Sequence, residues 1–450
     1  MKIQDKDRLL NNKTFCILPW MSVYINTDST VWSCCVNKTM TQGNHGVEET
    51  DIMNQPIQDI INNDYFKQLR LDMLNGVKNT NCSDCYALEE SSGHSYRNDF
   101  NKEYDEYFDN VYKTNGDGSI DDFETIYLDF RFSNLCNFKC RSCRPEWSST
   151  WAKESITSED HPYHYWEDSG KYNLKKYELE KTEFIEKFKN EFELVKRIYF
   201  AGGEPLAAKE QYWILEYLIE NNKTDVFIEY NTNLSMLKND KLKLNITDYW
   251  KQFNNVNLRI SLDGMGDRAE YLRSGTDWKM IESNFKYLKE NLPNVYLGIS
   301  SVFQLSNALH LPDFFQHWID IGLLDDDGLH NTFIIPLVGP DQLSSQILPK
   351  DLKEKVEKRW QDFMNKNLKS THGNFKGYVK NCIDYMNGQD LYEHGKESFI
   401  NFTTYLDTLR NESFSKVFPE LSDHFKVVNI SHPKQTHRFS DWVKLNIDNE

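Results

Sequence analysis

The sequence predicts an α/β protein: a partial (β/α)6 TIM-type barrel, with a small cysteine-rich module before it and a helical region after it. Three observations carry this expectation. From residue 124 short apolar runs alternate with longer helical patterns, cysteines crowd the first hundred residues, and after about residue 345 the strand-like runs stop. Alternating strand and helix implies a parallel sheet with right-handed crossovers. Six such units make a partial or complete barrel, with a flat doubly wound sheet as the alternative.

The elements divide the chain into a module at 1–118, a barrel at 119–345 and a helical region at 346–450. In the module one helix is expected over 56–74. Pro56 suits its first position, Gly76 suits its stop, and Ile57, Ile60, Ile61, Phe66, Leu69 and Met73 share a face. The polar stretch 101–122, with Thr114-Asn115-Gly116-Asp117-Gly118 near its end, reads as a turn-rich linker. Barrel strands are expected at 126–130, 197–200, 225–230, 258–262, 295–301 and 332–335, with helical patterns between them such as 207–220 and 278–290. Segments 351–363, 378–386 and 399–409 read as helices that pack rather than react. The stretch 158–173, which holds His161 and His164, reads as a solvated surface loop.

Bulk properties narrow the classes. Of 450 residues 39% are hydrophobic and 14% aromatic, which is enough for a sizeable core and excludes wholesale disorder. A formal net charge of -17 disfavours general nucleic-acid binding and anionic membrane surfaces, since like charges repel. The first residues carry no apolar secretory segment and no run reaches the length of a membrane span, so a cytoplasmic protein is expected. In that compartment thiols stay reduced, and the nine cysteines then point to metal or catalytic roles. Cys382, standing alone, reads as a core residue.

Cys136, Cys140 and Cys143 form a C-x3-C-x2-C segment directly after the first expected barrel strand. Loops after strands lie at the C-terminal mouth of a barrel, where chemistry is usually placed. Three thiolates can hold three irons of a [4Fe–4S] cube and leave the fourth open. A closed structural site wants four ligands, so the alternative is zinc with a borrowed fourth ligand.

With this spacing in this place, the chain resembles the radical S-adenosylmethionine (radical SAM) superfamily. Ser142 stands where the family usually has an aromatic residue, which removes one side-chain contact to the adenine. Four further segments extend the resemblance over roughly residues 124–335. Gly202-Gly203-Glu204-Pro205, after the second strand, resembles the motif that contacts the methionyl amino group. Glycines admit close backbone approach and a carboxylate accepts from an ammonium, although an ordinary tight turn would look the same. Asn233 ends the third strand, as a cofactor contact or a helix cap. Ser261 and Asp263 resemble the ribose- or carboxylate-binding turn. Arg273 resembles the basic residue that faces the methionyl carboxylate, with a solvated arginine as the alternative. The resemblance implies reductive cleavage of S-adenosylmethionine to a 5′-deoxyadenosyl radical that abstracts a substrate hydrogen, the cofactor carrying the hard chemistry. It also implies an electron donor such as flavodoxin or ferredoxin.

Cys16, Cys34, Cys82 and Cys85 supply four ligands of one metal site. They resemble the auxiliary-cluster modules called twitch or SPASM, here placed before the barrel. Ser29 stands where that pattern has glycine, and Glu89, Gly93, Ser95 and Arg97 also look like these modules. A second Fe–S cluster is the reading, and a tetrathiolate zinc site its rival because the ligand set is identical. Cys35 points elsewhere than Cys34 in an extended chain. Relatives with such modules often modify peptides or proteins, so a peptide is the leading substrate class, ahead of a sugar, nucleotide or other small metabolite. A non-catalytic zinc- or cluster-binding interaction protein is the reading from another class. No catalytic base is identifiable.

Overall fold

The computed structural model describes residues 6–37, 50–92, 95–155 and 179–427. The stretch 158–173 with its two histidines, and Gly93, lie outside the described residues. The chain divides into two compact units, Met1–Ser133 with Leu174–Tyr230 and Asn245–Val256, and Asn134–Asn173 with Asn231–Leu244 and Asn257–Glu450. All six expected barrel strands are present, each within two residues of its expected bounds. The fold is that of a partial TIM-type α/β protein with a helical C-terminal region.

In the first unit β1 (Ser22–Ile25), β2 (Val31–Trp32), β3 (Tyr127–Arg131), β4 (Arg197–Ala201) and β5 (Phe227–Thr232) run in the order β2-β1-β3-β4-β5. β1 pairs antiparallel with β2 and parallel with β3, and β3, β4 and β5 are parallel neighbours. The N-terminal hairpin was not expected. All four residues of β1 are buried, so it shows no period-two alternation to read.

The two faces of this sheet differ. Phe130 packs on Phe184 and Phe188 of the helix Lys181–Phe188, with ring centroids 5.9 and 5.0 Å apart, and Tyr230 packs on Trp250 at 5.4 Å. On the opposite face Tyr24, Asp129, Tyr199 and Glu229 stand side by side across four strands. One apolar and one polar face is the pattern of a barrel wall under helices. A doubly wound sheet would be apolar on both faces.

Two expectations for the module are corrected. The single helix at 56–74 is two, Ile57–Ile60 and Asp64–Asn75. Asn63 restarts the chain by accepting from Phe66 N at 3.0 Å, and Gly76, at φ 75°, closes the second helix as expected. The stretch 101–122 is no linker. It holds a 3₁₀ run, Asp105–Lys113, whose Phe108 and Val111 are buried. Asn62 clasps Ile120 through both its backbone N and O. Arg70, fully buried, donates to the carbonyls of Pro19 and Gly118. Polar residues spent on local backbone partners look like linker residues in composition alone.

In the second unit β6 (Val256–Ser261, from its second residue), β7 (Val295–Phe303) and β8 (Phe333–Pro336) lie in the order β8-β7-β6, with β7 and β8 parallel. Phe285 and Trp318 pack the intervening helices at 4.6 Å. The C-terminal helices Lys350–Asn367, Gly373–Gly388 and Tyr392–Arg410 are longer than expected, and Cys382 is core within the second, as read. Among the described residues no helix is long and apolar enough to cross a membrane.

Candidate metal centres

The barrel cysteines sit in a loop whose backbone is fixed at every turn. Ser149 Oγ accepts from Cys136 N at 3.2 Å and Thr150 Oγ1 donates to Cys136 O at 2.6 Å. Ser148 Oγ donates to Phe138 O and Trp151 Nε1 to Cys140 O, both at 2.6 Å. Cys140 also forms a two-residue ladder with Arg273, and Cys143 N donates to Cys140 O at 2.9 Å. Cys140 is buried, while Cys136 and Cys143 are half-buried. Burial pushes the Cys143 thiol up to about 12, with Cys140 adding to the rise, and burial also raises Cys140.

Arg273 is not a solvated arginine. Its Nε lies 2.9 Å from Asp263 Oδ2, with Asp263 fully buried and Arg273 partly so, and its Nη1 reaches the Cys140 sulfur at 3.8 Å. Asp263 Oδ1 accepts from Val302 N at 2.8 Å. Asn233 caps no helix: its Oδ1 accepts from Ser235 N, and its Nδ2 donates to Asn137 Oδ1 inside the cysteine loop, each at 2.9 Å. Ser261 is the half-buried last residue of β6.

Gly202, in the other unit, has φ 109°, and a Cβ there would stand 3.2 Å from the Arg131 side chain and 3.3 Å from Ser133 O. Gly203 N donates to Ser133 O at 3.1 Å. The glycines thus let this turn lie directly on the chain that leads into the cysteine loop. Glu204, 2% exposed, caps Pro205–Ala207 by accepting from Leu206 N at 3.0 Å.

The N-terminal cysteines are held otherwise. Cys16, Cys34 and Cys82 pack against a buried apolar cluster that includes Phe15, Leu69, Met73 and Phe108. Burial first, then one another, raise these thiols: Cys82 and Cys85 act on Cys16, Cys82 and Cys16 act on Cys34, and Cys85 acts on Cys82, which is pushed up to about 12. Backbone N–H groups of Leu18, Val36 and Arg97 oppose the rise at Cys16, Cys34 and Cys85. Arg97 Nη1 donates to Phe15 O at 2.6 Å and its Nε to Glu89 Oε1 at 2.8 Å, while Asn101 Oδ1 accepts from Ile17 N at 2.8 Å, bracketing Cys16. Ser29 has φ 69°, which is why the pattern carries glycine there, and its hydroxyl donates to Asp51 at 2.7 Å. Cys35 is the exposed member of its pair, with Asp129 and Arg131 its foremost charged neighbours.

The donor sets fit iron–sulfur clusters. All the donors are soft sulfurs, which suit such clusters once deprotonated. Among the described residues, no three His, Cys, Asp or Glu side chains close around a single-ion site.

Residues 130–303 match the family model of the radical SAM superfamily. The chain carries a radical SAM domain. Residues 16–86 match the SPASM model, an iron–sulfur cluster-binding domain, which precedes the radical SAM domain along the chain. The first domain uses a [4Fe–4S] cluster with S-adenosylmethionine and the second an auxiliary Fe–S cluster. Among solved structures, native anSMEcpe with bound AdoMet and Cp18Cys peptide is 18% identical, with a TM-score of 0.35 over 54% of this chain and 61% of that one. The chain thus spans less than two thirds of that relative. TYW1 with a lysine–pyruvate adduct bound is 15% identical, with a TM-score of 0.25 over 54% of this chain and 72% of that one. No curated protein matches the chain.

Two features escaped the sequence reading. One is the polar row Tyr24, Asp129, Tyr199 and Glu229. The other is the set Asp407, Arg410 and Glu412, which meets the cysteine loop from more than 250 residues away. Long-range pairs leave no periodic signal in a single sequence.

Proposed function

We propose that Cys136, Cys140 and Cys143 hold the [4Fe–4S] cluster with S-adenosylmethionine, and that the enzyme modifies a peptide or protein. The observation that carries the ligand assignment is one loop, its backbone held by hydrogen bonds, that carries three cysteines. Bound there, the cluster and S-adenosylmethionine supply one-electron cleavage to a 5′-deoxyadenosyl radical. The chain's own part is placement. Arg273 lends positive charge to the Cys140 sulfur and is itself oriented by Asp263. Gly202, Gly203, Glu204 and Pro205 are assigned to the methionyl amino group on the resemblance of their segment to the family's motif. Asn233 and Ser261 are cofactor contacts of the same site.

Cys16, Cys34, Cys82 and Cys85 hold the second cluster in this reading, where it relays electrons or binds substrate. A reduced flavodoxin or ferredoxin supplies the electron. The peptide class is supported by the auxiliary module, which in similar enzymes accompanies peptide modification. The test is anaerobic: reconstitute the full chain, reduce with dithionite, add S-adenosylmethionine and measure 5′-deoxyadenosine. Formation that is lost in Cys140→Ala supports the assignment, and its absence from a fully loaded wild type contradicts it. Stimulation by a sugar or nucleotide but no peptide would overturn the substrate class alone.

A further inference from the structure

Lys139 and Arg141 flank Cys140, and both are gripped from the end of the chain. Arg141, 2% exposed, donates through Nη2 to Asp407 Oδ1 at 2.6 Å and also to Glu412. Its guanidinium lies 3.7 Å from the ring centroid of Tyr271, and its backbone N donates to Leu272 O at 2.9 Å. Asp407 is fully buried, and it accepts from Tyr271 Oη at 2.7 Å and from Phe414 N at 2.6 Å. Glu412 accepts from Ser274 Oγ at 2.6 Å, and Ser274 pairs with Lys139 across the short ladder.

On the other side Lys139 pairs with Glu154, which Arg410 holds through Nη2 at 2.7 Å and Nε at 3.1 Å. Arg410 lies 4.6 Å over Trp151, whose indole donates to the Cys140 carbonyl. Two cations, three carboxylates and a further arginine are therefore spent on one residue's surroundings. Buried ion pairs add little stability over apolar packing of the same volume. What they add is a fixed direction and a fixed local charge.

We propose that Asp407, Arg410 and Glu412, at and just beyond the end of the helix Tyr392–Arg410, are positioning residues for the barrel cluster. They lock the two cations beside Cys140, fix its sulfur, and set the charge that the cluster feels. Reduction potentials of such clusters follow net charge and hydrogen bonding around the sulfurs. The proposal rests on the reading of Cys140 as a cluster ligand.

The experiment compares full-length wild type with Asp407→Asn, Glu412→Gln, Arg410→Gln and Arg410→Lys. Each is loaded anaerobically and titrated against potential by electron paramagnetic resonance. The barrel signal is identified by its response to S-adenosylmethionine. Removing a carboxylate charge should move the midpoint to more positive potential, and Arg410→Gln should move it to more negative potential. Arg410→Lys should return it towards wild type. Substrate-free 5′-deoxyadenosine formation should fall about tenfold in Asp407→Asn, the scale of lost outer-shell partners.

Opposite shifts from the acidic and basic variants, at unchanged melting temperature, are what a merely structural role would not give. Midpoints and spectra equal to wild type in all four variants would overturn the proposal. If Asp407→Asn fails to fold, Glu412→Gln, whose side chain is 21% exposed, decides it. A wild type that shows no S-adenosylmethionine-responsive signal would instead overturn the ligand assignment beneath it.

Discussion

Cys16, Cys34 and Cys82 pack against an apolar core, whereas Cys136, Cys140 and Cys143 hang from a frame of hydroxyls, an indole and ion pairs. The contrast separates two ways of building a cysteine site. In the N-terminal set, burial and mutual repulsion both oppose the thiolates that a metal needs. Cluster binding there is also folding free energy, because the unfolded chain has no preformed site. In the barrel loop the backbone is already fixed by partners outside the cysteines. Losing a thiol there should remove chemistry with less effect on the fold.

The largest expected effect tests that division. Cys140→Ala should abolish 5′-deoxyadenosine formation and leave the N-terminal cluster's iron in place. The double change Cys82→Ala with Cys85→Ala should lose about four irons per chain, keep substrate-free cleavage, and lower the melting temperature more than Cys140→Ala does. Iron analysis and calorimetry of the loaded proteins read both. Equal losses of stability would erase the distinction.

Next comes the bracket around Cys16. Arg97 and Glu89 are a largely buried pair whose arginine also serves a backbone carbonyl. Arg97→Gln should cost about 3–5 kcal/mol, the scale for breaking a buried pair, as measured by urea unfolding. A cost below about 1 kcal/mol, the surface-pair scale, would mean that the bracket does not hold the site.

Asp129 gives a smaller and pH-dependent effect. Burial pushes its carboxyl up to about 6, against the lowering influence of Arg131. Its protonated form is thus favoured in the folded state. The associated stability is full below the ordinary carboxyl range and is lost as pH rises from about 4 through about 6. Asp129→Asn should therefore gain on wild type between pH 4 and pH 8, by at most about 3 kcal/mol, in melting curves at the two pH values. A constant difference would show that the carboxyl is not strained.

Smallest is Ser29→Gly. It relieves a left-handed backbone but gives up the hydrogen bond to Asp51. The two terms are each about 1 kcal/mol and oppose one another. The melting temperature should move little, whereas Ser29→Ala, which keeps the strain and loses the bond, should destabilise.

What could be read in the sequence follows the range of the interactions. The barrel strands and Gly76 as a helix stop are local patterns, and each is found in the structure. Asn63 as a helix restart was also local, but one asparagine within a continuous apolar face does not outweigh the periodicity. The hairpin at Ser22–Trp32 was hidden because β1 is buried throughout. Arg273 and Asp263 were visible as residues, but their pairing was not, since it joins two turns. Asp407 beside Arg141 had no sequence signal at all.

The central claim is that one chain holds two clusters on these two differently built sites. The direct measurement is iron, sulfide and zinc per chain after anaerobic reconstitution, in wild type and in the Cys82→Ala, Cys85→Ala variant. The account predicts about eight irons and eight sulfides in wild type, about four of each in the variant, and no zinc. Zinc in the N-terminal site, or an iron count that the variant leaves unchanged, would contradict it.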